Sequence, residues 1–520
     1  MPGSSLRIAL LLSVVAAVLS LASIPHTGMT IDEPLDVAPG RKYVQTLWSQ
    51  GPDFFSRDVV LHVYSDNAEH PPLGRWLLGI ASVVGQPIEM ILMGPDPVGL
   101  YIRAARAAPA LAFSALVGLV SLSAGRRYGA IAGLSAGLSL LLMPRVFAHG
   151  HLAALDTFVA LFWTLALLAV GHAVESPRPV RAMALAGLVW GLAILTKIHG
   201  WLLPPLVLIW VFARLPVRRA LLAFVVWGVT GLLTFLAGWP WLWYDSLDRL
   251  VRYARTGVQR TPIQVQYLGS VFRDTDVPWH YPWLYVLATV PLGLLLLAAT
   301  GIFTGWKQRK VQVCPALILG AILEFLILFS TRVAVYDGER LFLPVFPLVA
   351  ILAGMGFQAL WTRAEARTAM RVALVVLLMG QCVGVVSTFP FGLSYYNLLV
   401  GGLPGAERLG LELTYWGDAV DPILLDELAQ RADIGDTSAL APTLAPSQGF
   451  VATSRALVSR EMALADQEAV DASEWVVIYR RPAYWSSDVR SLVENQPPVT
   501  VRTRQGVWLS GLWHHSVKKK

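Results

Sequence analysis

Eleven apolar runs, most of them about 17 to 23 residues long, constrain this chain more than any other feature. In a hydrocarbon environment a backbone must satisfy its own N–H and C=O groups, so such runs fold as membrane-crossing helices. They fall at 7–25, 101–122, 128–146, 152–172, 182–196, 198–213, 220–240, 283–305, 313–330, 341–360 and 372–389. The tightest pair, 182–213, is interrupted by Lys197, His199, Pro204 and Pro205. Residues 1–25 have the Arg7-then-apolar pattern of an export signal. The stretch from Ile8 to Ile24 is longer than a usual signal core, however, and no small-x-small cleavage site follows, so it reads as a retained first span.

With 55% hydrophobic and 14% charged residues among 520, the chain is excluded from the ordinary soluble domains. A net charge of +7 invites a nucleic-acid reading, but the distribution of the charge argues against that partner. Arg126, Arg127, Arg178, Arg181, Arg214, Arg218 and Arg219 sit in short loops on one side, with Lys307, Arg309, Lys310, Arg363, Arg367, Arg371 and Arg7. That side is cytoplasmic by the positive-inside rule. Cys314 and Cys382 both lie in predicted spans, so no disulfide framework is expected, and no Cys/His spacing suggests a structural zinc site.

The opposite side receives two large loops, 26–100 and 241–282, and everything after 390. The expected division is a membrane domain, 1–390, and an extracytoplasmic α/β domain, 391–520. Leu73 to Val84 is suited to lying flat in the interface, and 241–282 is rich in Trp, Tyr, Arg and Asp. In the tail, 474–479 reads as a strand, 499–512 as a hairpin, and 422–432 and 454–470 as helices.

Four polar clusters converge on that outer side. They are Asp32-Glu33, then Glu69-His70-Pro71-Pro72, then His149-Gly150-His151 with Asp156, and lastly the cations Lys197 and Arg340. Each has a structural explanation: Asp32, Glu33 and Asp156 as helix-start carboxylates, Lys197 and Arg340 as membrane-surface anchors, the histidines as interfacial residues. Together they also match one chemistry. A lipid-phosphate leaving group needs Lys or Arg to neutralise it, and an attacking hydroxyl needs a carboxylate to take its proton.

The order Asp32-Glu33, Glu69-His70-Pro71-Pro72-Leu73, then His151 through Leu155-Asp156-Thr157, resembles glycosyltransferase family 39. Leu195-Thr196-Lys197, His280-Tyr281-Pro282-Trp283 and Arg340-Leu341-Phe342-Leu343-Pro344 extend the match to roughly residues 5–390. The family comprises GT-C fold enzymes, among them protein O-mannosyltransferases and lipid A aminoarabinose transferases. The resemblance implies an inverting transfer of a sugar from polyprenyl phosphate to an extracytoplasmic hydroxyl. Asp32 would be the general base, Glu33 or Asp156 would stabilise an oxocarbenium-like state, and Lys197 and Arg340 would hold the donor phosphate. Where the aminoarabinose branch has a Lys after its Glu, this chain has His70, the third residue assigned to the donor phosphate.

In that branch a Glu and a His also bind zinc, and Glu69 and His280 match those positions loosely. Two ligands fall short of a zinc site's usual complement, so no cofactor is required by this reading and zinc is the one metal implied. The tail lacks the β-trefoil module of eukaryotic members, while Ser394-Tyr395-Tyr396-Asn397 and Tyr415-Trp416-Gly417-Asp418 look like uncharacterised bacterial ones. Tyr395, Tyr396 and Trp416 either stack on a sugar or pack the tail onto the membrane domain.

The expected partners are a polyprenyl-phosphate sugar, membrane lipids, and an acceptor lipid, glycan or protein. The expected location is the cell inner membrane, crossed many times, with site and tail on the periplasmic face. A transporter or flippase of lipid-linked sugars is the rival reading, although no matched halves are visible. A non-catalytic binder and a polymerase using a lipid diphosphate donor are the remaining alternatives.

Overall fold

The computed structural model of the chain describes residues 2–66, 70–256, 262–307, 314–365, 367–433, 435–444 and 447–515. Among them, seven helices are long and apolar enough to cross a bilayer: Gly3–His26, Leu73–Met93, Ile102–Tyr128, Asp156–Val174, Val217–Gly238, Val345–Arg363 and Thr368–Thr388. A bent pair, Tyr281–Thr289 with Leu292–Gly305, turns through 111° and makes an eighth if counted as one span. Shorter apolar helices occupy Ala130–Leu141, Pro179–Ile194, Ile198–Arg214 and Pro315–Leu328. Each predicted span coincides with one of these helices, and the chain is a multi-pass α-helical membrane protein.

Two details differ from the expected spans. The predicted run 283–305 is broken because Pro291 brings no N–H and pushes Val290 into an extended conformation, φ −77° and ψ 128°. The stretch from Leu73, expected as an interfacial piece, is a helix running on to Met93 and apolar enough to span.

Small residues let the helices approach closely, which is how apolar helices gain contact in lipid. Gly187 leaves no room for a Cβ beside the Trp227 carbonyl, and so joins Pro179–Ile194 to Val217–Gly238. In the first outer loop, Gly40 and Gly79 lie against each other's helices, which locks Asp32–Gln50 across Leu73–Met93. That crossing fixes where Asp32, the first residue of its helix, stands.

The tail forms a four-stranded sheet. Ser438–Ala441 pairs parallel with Trp475–Tyr479, which pairs antiparallel with Val507–His514, and Thr500–Arg504 closes the edge. The predicted strand, hairpin and first helix are present, the helix as Pro422–Arg431. The expected helix 454–470 is instead Arg455–Ser459 and a 3-10 turn Gln467–Ala472, because Glu461 takes a left-handed φ of 54° between them. The sheet's core includes Met29 and Ile102, so the tail and one end of the helical bundle share one apolar cluster. The Ile31 N–H donates to the Trp416 carbonyl at 2.9 Å, tying the tail beside Asp32.

Candidate active site

Asp32 and Asp156 each begin a helix, Asp32–Gln50 and Asp156–Val174, where a carboxylate complements the helix dipole. Lys197 stands in the extended break after Pro179–Ile194, held by the Trp190 indole, which donates to the Gly200 carbonyl at 2.8 Å. Arg340 follows a sharp turn at Asp337 and Gly338, with φ of 55° and 64°, so that Asp337, Glu339 and Arg340 all enter one polar cluster.

There the four chain segments meet. Lys197 Nζ donates to Asp156 Oδ1 at 2.7 Å, and Arg340 Nε donates to Asp156 Oδ2 at 3.1 Å. Arg340 Nη1 donates to Asp337 Oδ2 at 2.9 Å, and Nη2 donates to Asp32 Oδ2. The guanidinium carbon lies 4.4 Å from the centre of the Trp416 ring. Burial pulls the Arg340 pKa down, but the carboxylates of Asp32 and Asp156 outweigh it and hold it well above the ordinary value. Among the carboxylates on Arg340, Asp32 keeps 21% side-chain exposure, against 2% for Asp156 and for Asp337.

His70 is part of the same neighbourhood. Its pKa is driven well below the ordinary value by burial first, then by Arg75, Lys197 and Arg340. It is therefore a neutral imidazole at neutral pH, able to offer an N–H but no positive charge.

Glu33 departs from its expected place. Its carboxylate is fully buried and accepts from Arg106 Nε at 2.6 Å and Nη2 at 2.8 Å. It also accepts from the backbone N–H groups of Thr30 and Ala153, each at 2.7 Å. Arg106 in turn donates to the carbonyls of Thr27 and Gly28. This pair clamps the first outer loop to the Ile102–Tyr128 span, and both Glu33 oxygens are occupied in doing so.

The histidines of the short outer turn are likewise committed to the fold. His149 Nε2 lies 3.6 Å from Glu339 Oε1, and Glu339 accepts from Arg145 Nη1 at 2.6 Å. His151 Nε2 contacts Thr27 Oγ1 at 3.2 Å, and burial keeps its pKa down to about 3. Tyr396 and Trp416 are packed against Arg145 and Arg340 respectively, as part of the interface between tail and membrane domain.

His280 Nδ1 is hydrogen-bonded with Tyr267 Oη at 2.6 Å, and Glu69 lies outside the described residues. Among the described residues no group of three or more His, Cys, Asp or Glu is placed to hold a metal ion. The described donors thus do not make up a coordination set.

Residue-by-residue reading missed Asp337 and Arg481. Arg481 Nη2 donates to Asp337 Oδ1 at 2.8 Å, across a separation that no local pattern reveals. The Asp337-Gly338 turn next to Arg340 was the available signal.

Residues 69–244 match the family model described as dolichyl-phosphate-mannose-protein mannosyltransferase. The structure is similar to ArnT from Cupriavidus metallidurans in the apo state, with a TM-score of 0.52, 18% identity, and 96% of each chain covered. The same protein bound to undecaprenyl phosphate gives a TM-score of 0.51 at 16% identity, over 96% of this chain and 97% of that one. The archaeal oligosaccharyltransferase AglB from Archaeoglobus fulgidus gives 0.48 at 12% identity, over 91% of this chain and 69% of that one. No curated protein sequence matches the chain at a significant level. The chain has the GT-C fold.

Proposed function

We propose that the chain, which has the GT-C fold and matches the mannosyltransferase family model over residues 69–244, is a glycosyltransferase of family 39 that moves a sugar from polyprenyl phosphate to an acceptor hydroxyl with inversion. The observation that carries this reading is an accessible carboxylate, Asp32, held beside two buried cations, Arg340 and Lys197. A base must reach the acceptor, whereas phosphate ligands gain strength from exclusion of water.

In the proposed reaction Asp32 takes the acceptor proton as that oxygen attacks the anomeric carbon. The bond between that carbon and the phosphate oxygen breaks, and its electron pair leaves with polyprenyl phosphate. The leaving group gains one negative charge, which Arg340 and Lys197 stabilise, and His70 offers a neutral N–H. Asp156 holds the two cations together through its two oxygens. Because Arg340 also holds Asp32, an incoming phosphate competes for the guanidinium and releases the base, so donor binds before acceptor.

The site and the tail domain, 391–520, are assigned to the periplasmic face of the inner membrane, opposite the arginine-rich loops. The test uses purified protein in lipid vesicles with radiolabelled polyprenyl-phosphate sugars. Release of free polyprenyl phosphate by the native chain, lost in Asp32→Asn, supports the reading. Donor binding without release by either protein sinks it and favours transport.

A further inference from the structure

We infer that Arg481, supplied by the C-terminal α/β domain, is a positioning residue for the donor phosphate: it neutralises Asp337, so that Arg340 keeps its charge for the phosphate. This rests on the reading of Arg340 as a phosphate ligand.

Arg481 is almost fully buried, just after the strand Trp475–Tyr479. Its Nη2 donates to Asp337 Oδ1 at 2.8 Å, while the other oxygen of that carboxylate accepts from Arg340 Nη1 at 2.9 Å. Asp337 therefore bridges two guanidinium groups that come from different domains. Arg481 itself is fixed by donating from Nη1 to the Tyr415 carbonyl and by lying 4.7 Å from the centre of the Tyr484 ring.

Counting charges shows what the bridge does. Asp32, Asp156 and Asp337 stand against Lys197, Arg340 and Arg481, three carboxylates against three cations, so this cluster is neutral. A donor phosphodiester enters it with one negative charge. Without Arg481 the cluster would already carry one negative charge, in a buried setting where repulsion is weakly screened. Asp337, lacking its second cation, would also close on Arg340 alone.

Glu412 lies near Arg481 as well, with Oε1 3.8 Å from Nε. Burial pushes the Glu412 carboxyl up to about 8, against the pull of Arg481, so it is largely uncharged at neutral pH. The Arg481 charge is thus directed at Asp337.

The experiment measures KM for the polyprenyl-phosphate sugar, kcat, and melting temperature in Arg481→Gln, Arg481→Lys, Asp337→Asn/Arg481→Gln and Arg340→Gln. Arg481→Gln should raise the donor KM by at least about tenfold, with kcat changed much less. Arg481→Lys, which keeps the charge, should restore most of the loss. The double variant, which removes one charge of each sign, should have a donor KM nearer native than Arg481→Gln, and it serves as the test if the single variant does not fold. A native donor KM in Arg481→Gln, or a double variant as impaired as Arg340→Gln, overturns the inference. If Arg340→Gln itself leaves the donor KM unchanged, the reading of Arg340 falls first, and the two failures are told apart.

Discussion

Asp32 and Arg340, 308 residues apart in the chain, are joined by a hydrogen-bonded ion pair at the end of the bundle that meets the tail. Replacing Asp32 by Asn leaves a group of the same shape that cannot take a proton. We expect kcat to fall by about 10²- to 10⁴-fold with donor binding retained. Release of polyprenyl phosphate under single-turnover conditions checks this, and a variant as fast as native rules out Asp32 as the base.

Glu33 sits next to Asp32 but has a different task, and the two substitutions should separate. Glu33→Gln leaves Arg106 buried without its charge partner, a loss of about 3–5 kcal/mol for a buried pair. The expected outcome is a much lower melting temperature and yield, with activity per folded molecule near native. A stable Glu33→Gln enzyme with abolished turnover would return Glu33 to the chemistry.

The crossing of Gly40 and Gly79 gives a steric test. A Val at position 79 meets the Gly40 backbone, so the helix that begins with Asp32 must shift. Overpacking of this kind costs about 1–3 kcal/mol. Gly79→Val should lose both thermal stability and turnover, whereas Gly228→Ala, where nothing crowds the position, should keep turnover.

Two buried carboxyls of the tail region make stability depend on pH. Burial raises Asp418 to about 7 and Glu412 to about 8, from ordinary values near 4. Between the unfolded and folded values the unfolded chain binds fewer protons, so the contribution of these two groups to stability is fully present below about pH 4 and declines as pH rises towards 8. Asp418→Asn should flatten that decline by a few degrees of melting temperature between pH 5 and 8. An unchanged slope would show that Asp418 does not titrate in this range.

Hydropathy made the helices legible because a membrane-crossing run is written in consecutive residues. It could not show the 111° turn at Pro291, since a bend alters direction without altering apolarity. Nor did it show the full extent of Leu73–Met93, where Arg75, Gln86, Pro87 and Glu89 interrupt the run. Asp32, Asp156, Lys197 and Arg340 stood out as charges beside apolar runs, and the structure brings them together. Glu33 was misplaced because neighbouring carboxylates look equivalent in a sequence, although successive helical residues point about 100° apart. Asp337 and Arg481 find each other only through the folded tail, a relation that spacing does not encode.

That Ile31 bonds to Trp416, and that Arg340 rests over the same indole, has a consequence for how the protein is made. A ribosome can insert every span of the bundle and still have placed no indole beside Arg340, because Trp416 is translated after the last of them.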